Sequence, residues 1–214
     1  MSGARRPVGE AAGAPGAADA PDAADAADAA DAPTRRPRIA PVAAPDAEQA
    51  AALAKALPRT DGSPLNVFAT LAHAPRLLRR VNALGGYFAV HGRISPRDRE
   101  LVVLRVAGRT GSAYEAAHHR AIGASAGLVP AEVEAALDGD SAHPWAPADA
   151  ALLHATDELV LRRTVGDATW TRLRATRDEH ELLELLVLAG FYALLAGVID
   201  AAGIELDPLP PRTG

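Results

Sequence analysis

The sequence predicts an all-α protein, an antiparallel helical bundle preceded by a disordered tail. Three observations carry this. Helix start and stop signals succeed one another from Asp46 onward, and no stretch sustains the alternation of a half-buried strand. Aromatic residues make up only 4% of the chain, and much of the 49% apolar content is alanine, a composition suited to closely packed helices. The connections between helix signals are short, which favours antiparallel neighbours.

The elements follow in order. Asp46 caps a helix expected to run to about Leu57. Ser63-Pro64 starts a short one, and Ala74-Pro75 opens a longer helix ending at Gly92. Ser95-Pro96-Arg97-Asp98 joins an N-cap serine, a proline at the first helical position and an acid that completes a capping box. That helix puts Leu101, Leu104 and Gly108 on one face and stops at Thr110-Gly111. The next runs from Ser112 to Ala126, with Gly127 as its C-terminal stop. Pro130 begins a helix through Leu137, Pro147 another carrying Leu152, Leu153, Leu159 and Val160, and Asp167 caps one with Trp170 and Leu173. The last spans Glu179 to Ala202 and ends at Gly203.

Residues 1–45 read as a disordered tail and 46–208 as one helical domain. Between Ala11 and Ala32, Asp19, Asp22, Asp25, Asp28 and Asp31 recur every third residue, with prolines at 15, 21 and 33. A helix would set these like charges side by side, and nothing large is present to bury. Arg5-Arg6 is not followed by an apolar stretch, so it does not read as an export signal. Leu182 to Ile199 approaches membrane-spanning length, but it contains Glu184 and reads as a buried core helix. A cytoplasmic protein without membrane association is expected. The 214-residue chain has 0 Cys, which removes disulfides, thiolate metal sites and thiol nucleophiles together. Its net charge is −5 and no basic stripe is interleaved with aromatics, so nucleic acid is not an expected partner.

The stretch SPRDRELVVLRVAGRTGSAYEAAHHRAIGASAGLV, residues 95–129, carries the chemistry. Glu115 and His119 are four apart on a helix and share a face. A carboxylate beside an imidazole orients the ring and sets its tautomer, as an acid/base pair requires. Glu100 lies on the preceding helix and reaches the same spot if the two pack as a hairpin.

Ordinary readings stand beside these. Ser112-Ala113-Tyr114-Glu115 is itself a capping-box pattern, so Glu115 could simply bond the Ser112 amide. His119 alone reads equally as a satisfied interior histidine, and Glu100 as a partner of Arg97 or Arg105. His118 points away from Glu115, and Tyr114 reads as core or interface. His143, His154 and His180 read as structural. Glu115-Ala116-Ala117-His118 matches Glu-x-x-His, but a carboxylate-bridged di-metal bundle needs that motif twice and it occurs once. No metal or cofactor is expected.

The helices "RDRELVVLRVAGR" and "YEAAHH" and the following "AGLVPAEVEAAL" resemble the core motif of the carboxymuconolactone decarboxylase family, relatives of the alkyl hydroperoxidase D-type proteins. The likeness extends more loosely from "PLNVFATLAHAP" to "AAGIELDP". Peroxidase-type relatives carry Glu, eleven residues, Cys, two residues, Cys, three residues, His; here that frame reads Glu100, Ser112, Glu115, His119. Both cysteine positions are replaced, and decarboxylase-type relatives carry a Glu at the second. The tail and N-terminal helices lie outside the short decarboxylase pattern.

The resemblance implies an all-α bundle that self-associates, with Glu100, Glu115 and His119 as catalytic residues. It implies a cofactor-independent enzyme acting on a small organic acid or lactone. In that reading His119 donates the proton, Glu115 orients it, Glu100 completes the relay, and Arg105 or Arg120 holds a substrate carboxylate. A non-enzymatic oligomer that binds a small molecule or is purely structural is the alternative. Thiol peroxidase activity is excluded, because serine cannot replace a thiolate in attacking an O–O bond. The apolar residues of the last helix, Phe191, Tyr192, Leu194, Leu195, Val198 and Ile199, also predict a homo-oligomer.

Overall fold

The computed structural model describes residues 37–139 and 142–208. Nine helices occur among them: α1 (Ala47–Leu53), α2 (Asn66–Leu71), α3 (Pro75–Val90), α4 (Pro96–Thr110), α5 (Ala113–Ser125), α6 (Pro130–Asp138), α7 (Pro147–Arg162), α8 (Asp167–Arg174) and α9 (Glu179–Ala202). The expected punctuation is in place at most ends. Asp46, Ser95 and Ser112 accept amide hydrogen bonds at helix starts, as does Asp178 before α9, whereas the residue capping α8 is Gly166, with Asp167 already inside the helix. Gly111, Gly139 and Gly203 close α4, α6 and α9 in the left-handed region, where a β-carbon would clash.

α4 is the axis of the bundle. It packs on α5, α6, α7 and α9, so Glu100 through Ala107 are all buried whatever face they occupy. Leu101, Val102, Leu104, Leu152, Leu173, Leu185 and Leu188 form the centre of the core. Close packing depends on Gly108, since a β-carbon there would sit 1.9 Å from the Leu137 carbonyl oxygen of α6. Arg105 enters this layer too. It donates to both carboxylate oxygens of Asp157, at 2.6 and 2.8 Å, and to the Ala136 carbonyl at 3.2 Å. Arg109 grips the same carboxylate at 2.6 and 2.9 Å.

Several expectations are corrected. α1 ends at Leu53, short of Leu57, and the chain then makes an isolated antiparallel bridge between Pro58 and Pro64. α3 ends at Val90, before Gly92. The disorder expected for residues 1–45 lies outside the described residues as far as Arg36. From Pro37 onward the backbone is docked: Arg38 and Ile39 donate to the Ala202 carbonyl, and Val42 donates to Ala69. These main-chain bonds need no apolar pattern, so the composition of the segment does not announce them. On α9, Phe191 and Ile199 belong to the core, and Tyr192, Leu195 and Val198 are partly covered. The exposed apolar residues of this helix are Leu183, Val187 and Leu194, on the opposite face.

Candidate acid/base site

Glu100, Glu115 and His119 come together as α4 and α5 pack side by side, with His119 on the α5 face turned toward α4. His119 Nδ1 lies 2.6 Å from Glu100 Oε2. Its Nε2 lies 3.5 Å from Glu115 Oε2. All three side chains are buried. The carboxylates approach opposite edges of one imidazole, so they cannot share a single metal ion with it. Among the described residues, no group of three or more acidic or histidine side chains is arranged to hold a metal.

The two carboxyls are driven apart electrostatically. Burial alone would push Glu100 up, but the bonds from His119 and from Arg99 Nε, at 2.9 Å, outweigh it and hold Glu100 below the usual carboxyl range. Burial pushes Glu115 up; His119 counteracts this, while Asp200 and Glu100 add to it. An ionised Glu100 accepts from Nδ1, so Nε2 is the ring nitrogen that faces Glu115. Glu100 thus bonds one ring nitrogen directly, and Glu115 faces the other from a longer distance.

The capping alternative for Glu115 is half realised. Ser112 Oγ accepts from the Glu115 amide at 3.4 Å, but the Ser112 amide bonds to Ala107 and not to the Glu115 carboxylate. The partner of Glu100 is Arg99, whereas Arg97 bridges Glu132 and Asp149 and Arg105 bridges to Asp157. Arg120 pairs with Glu134 on the surface. Neither Arg105 nor Arg120 is therefore placed to hold a substrate beside His119.

Tyr192 is a member of this cluster that spacing arguments missed. Its ring stands edge-on to the His119 ring at 5.1 Å and 89°. Burial pushes its phenol up, and Glu115 and Glu100 add to the effect. The only sequence signal was a polar-tipped aromatic within an aliphatic run.

A second buried cluster braces α5 next to the first. Asp207 is 3% exposed and accepts from the Tyr114 hydroxyl, from the Asn66 amide at 2.9 Å, and faces Arg59 at 2.8 Å. His118 Nε2 lies 3.2 Å from the same carboxylate, and its ring is 4.7 Å from that of Tyr114. Burial lowers the His118 pKa, with Asp207 opposing. His180 bonds Glu184 at 2.9 Å. Glu184 also accepts from Tyr87 and from the Arg93 and Ile94 amides, which fix the turn between α3 and α4.

The sequence pattern of the carboxymuconolactone decarboxylase family matches residues 75–158, from the start of α3 through most of α7. Glu100, Glu115 and His119 all lie inside the matched stretch. The fold is also that of solved structures. A protein from Ralstonia eutropha JMP134, described as an alkylhydroperoxidase AhpD core and an uncharacterized peroxidase-related protein, superposes with a TM-score of 0.68 at 20% identity, covering 83% of this chain and 94% of its own. An uncharacterized peroxidase-related protein from Silicibacter sp. TM1040 gives 0.63 at 17% identity, covering 76% and 94%. A protein of unknown function from Agrobacterium tumefaciens gives 0.60 at 18%, covering 65% and 96%. At such identities the likeness is one of fold. No curated protein matches the sequence.

Proposed function

We propose that this protein is a cofactor-independent acid/base enzyme acting on a small organic acid or lactone by decarboxylation or proton transfer. The observation that carries the reading is the buried Glu100–His119 bond at 2.6 Å with Glu115 at the opposite ring nitrogen. In the reaction that names the family, the bond to the substrate carboxylate breaks and carbon dioxide leaves. The electron pair remains as a dienolate, which takes a proton at carbon. Glu115, which keeps its proton to higher pH than an ordinary glutamic acid, is the source of that proton, and His119 Nε2 takes it up and passes it to the carbon. Glu100 and Arg99 hold the imidazole in one tautomer, and Tyr192 limits water at its edge.

A thiol route is absent with 0 Cys in the chain, whatever the neighbours' peroxidase-related descriptions suggest. A small-molecule-binding or structural role is the second reading. It draws support from three cavities of about 250, 400 and 550 Å³, none of which borders His119.

The test is an untargeted metabolite screen comparing wild type with His119→Ala. The enzyme reading expects a small acid or lactone that only the wild type consumes. With that substrate, Glu115→Gln and His119→Ala should each cost about 10²–10⁴ in rate, the double variant little more. Full activity in Glu115→Gln, with Ser112→Ala lowering stability by about 1 kcal/mol, would assign Glu115 to the helix cap.

A further inference from the structure

A groove of about 250 Å³ runs between α3 and α9. Leu84, Phe88, Leu183 and Val187 make its apolar walls, and Tyr87, His180 and Glu184 are its polar members. The polar three form one cluster. Glu184 is 4% exposed, yet each of its oxygens takes two donors: the Tyr87 hydroxyl at 2.7 Å and His180 Nε2 at 2.9 Å on one, the Arg93 and Ile94 amides at 2.7 and 2.9 Å on the other. Burial alone would push this carboxyl up, but these bonds outweigh it and hold Glu184 below the usual carboxyl range. An ionised Glu184 accepts from Nε2, so Nδ1 is the ring nitrogen available to a guest, and the His180 side chain is 48% exposed.

We propose that this groove binds a small neutral molecule with an apolar body and one hydroxyl, a simple phenol or an alkanol of similar size. Its body lies between α3 and α9, and its hydroxyl meets His180. The site shares no residue with Glu100, Glu115 or His119, so it stands or falls independently of the acid/base reading.

Size, walls and charge select that class. The volume falls below the roughly 300–1,000 Å³ of drug-sized pockets, which suits a single ring or a short chain. Leu84, Leu183 and Val187 are exposed, so an apolar body laid against them takes their surface out of water. A carboxylate guest would meet the ionised Glu184, and Arg93, the cation of the neighbouring turn, is already matched by Asp178 at 2.8 Å. An ammonium guest would find the Glu184 oxygens occupied by four donors, as many as a carboxylate's lone pairs accept. A hydroxyl donates to a neutral imidazole and accepts from a protonated one, so it suits His180 in either state.

The test is calorimetric titration of the full chain with 4-ethylphenol, beside 4-ethylanisole, in which the hydroxyl is methylated, and 4-ethylbenzoate, in which it is replaced by a carboxylate. The phenol should bind saturably at one site per chain, and the other two about tenfold more weakly or not at all. His180→Ala should erase the preference for the phenol over the anisole. Val187→Trp, which fills the groove from a side chain 46% exposed, should abolish binding, and His119→Ala should leave it unchanged. Circular dichroism checks that Val187→Trp is folded; if it is not, Leu84→Trp fills the groove from the facing helix. No saturable heat at millimolar phenol overturns the proposal, as does equal affinity for the anisole. Binding that survives the filled groove, or that is lost in His119→Ala, places the guest elsewhere and also overturns it. If no heat is seen and light scattering shows paired copies that Val187→Trp separates, the groove belongs to a second copy and the proposal is wrong.

Discussion

Replacing Gly108 by alanine tests the central packing of the bundle. In an isolated helix interior the change would stabilise by about 0.5–1 kcal/mol. Here the new β-carbon would sit 1.9 Å from the Leu137 carbonyl oxygen, against about 3.4 Å for an ordinary contact. The end of α6 must therefore retreat by about 1.5 Å, since the obstacle is backbone and cannot rotate aside. Overpacking of this kind costs about 1–3 kcal/mol. The retreat also pulls the Ala136 carbonyl off buried Arg105, a bond to a charged group worth about 1.5–3 kcal/mol. The net expectation is a loss of about 2–4 kcal/mol, or about 5–15 °C in melting temperature for a domain of this size. Thermal and urea unfolding by circular dichroism would read it. Gly86→Ala is the matched control: exposed, inside α3, with nothing within 4 Å of the new carbon, and expected to be neutral or stabilising. Gly108→Ala as stable as Gly86→Ala would refute the close approach of α4 and α6.

The two site carboxyls should respond to pH with opposite sign. Glu100 is held below its ordinary value of 4.5, so its contribution is present above that pH and is lost as pH falls; Glu100→Gln should be destabilised near neutrality, with the gap closing in acid. Glu115 is raised above 4.5, so the native state keeps the proton longer and stability falls as pH rises through that window; Glu115→Gln should gain on wild type over the same range, in urea titrations at stepped pH. Hydrogen peroxide and organic hydroperoxides with a dithiol reductant should be turned over no faster than in buffer, and metal-free turnover by the pure protein would contradict this. Removing residues 1–36 should leave the melting temperature nearly unchanged, while removal through Pro45 should lower it, because Arg38, Ile39 and Val42 then lose their bonds to Ala202 and Ala69.

Local signals were legible because local chemistry determines them. Ser95 and Ser112 cap helices, Gly111 and Gly203 end them, and the i,i+4 spacing of Glu115 and His119 survives into the fold. Which carboxylate grips the ring was not legible. It depends on how far α4 sits from α5, a packing distance fixed by Gly123, whose missing side chain lets Leu104 and Leu128 close in. Tyr192 reaches His119 from 73 positions away, and Asp207 reaches His118 from 89. A buried acid with such distant partners looks, in a sequence, like any polar residue near a helix end.

The Asp207 cluster has a consequence for how the molecule is made. Tyr114 and His118, on the helix that carries His119, are held by a carboxylate that leaves the ribosome after every helix described here. Tyr192 also emerges late. A nascent chain that has folded α4 against α5 therefore has the Glu100–His119 pair without its brace or its aromatic wall. Until Asp207 closes onto Arg59 and Asn66, the helix that carries His119 lacks that tie. Ring closure between distant segments is a slow step in folding, so maturation of the pair should trail the gain of helix, with Tyr192 and Asp207 setting the delay.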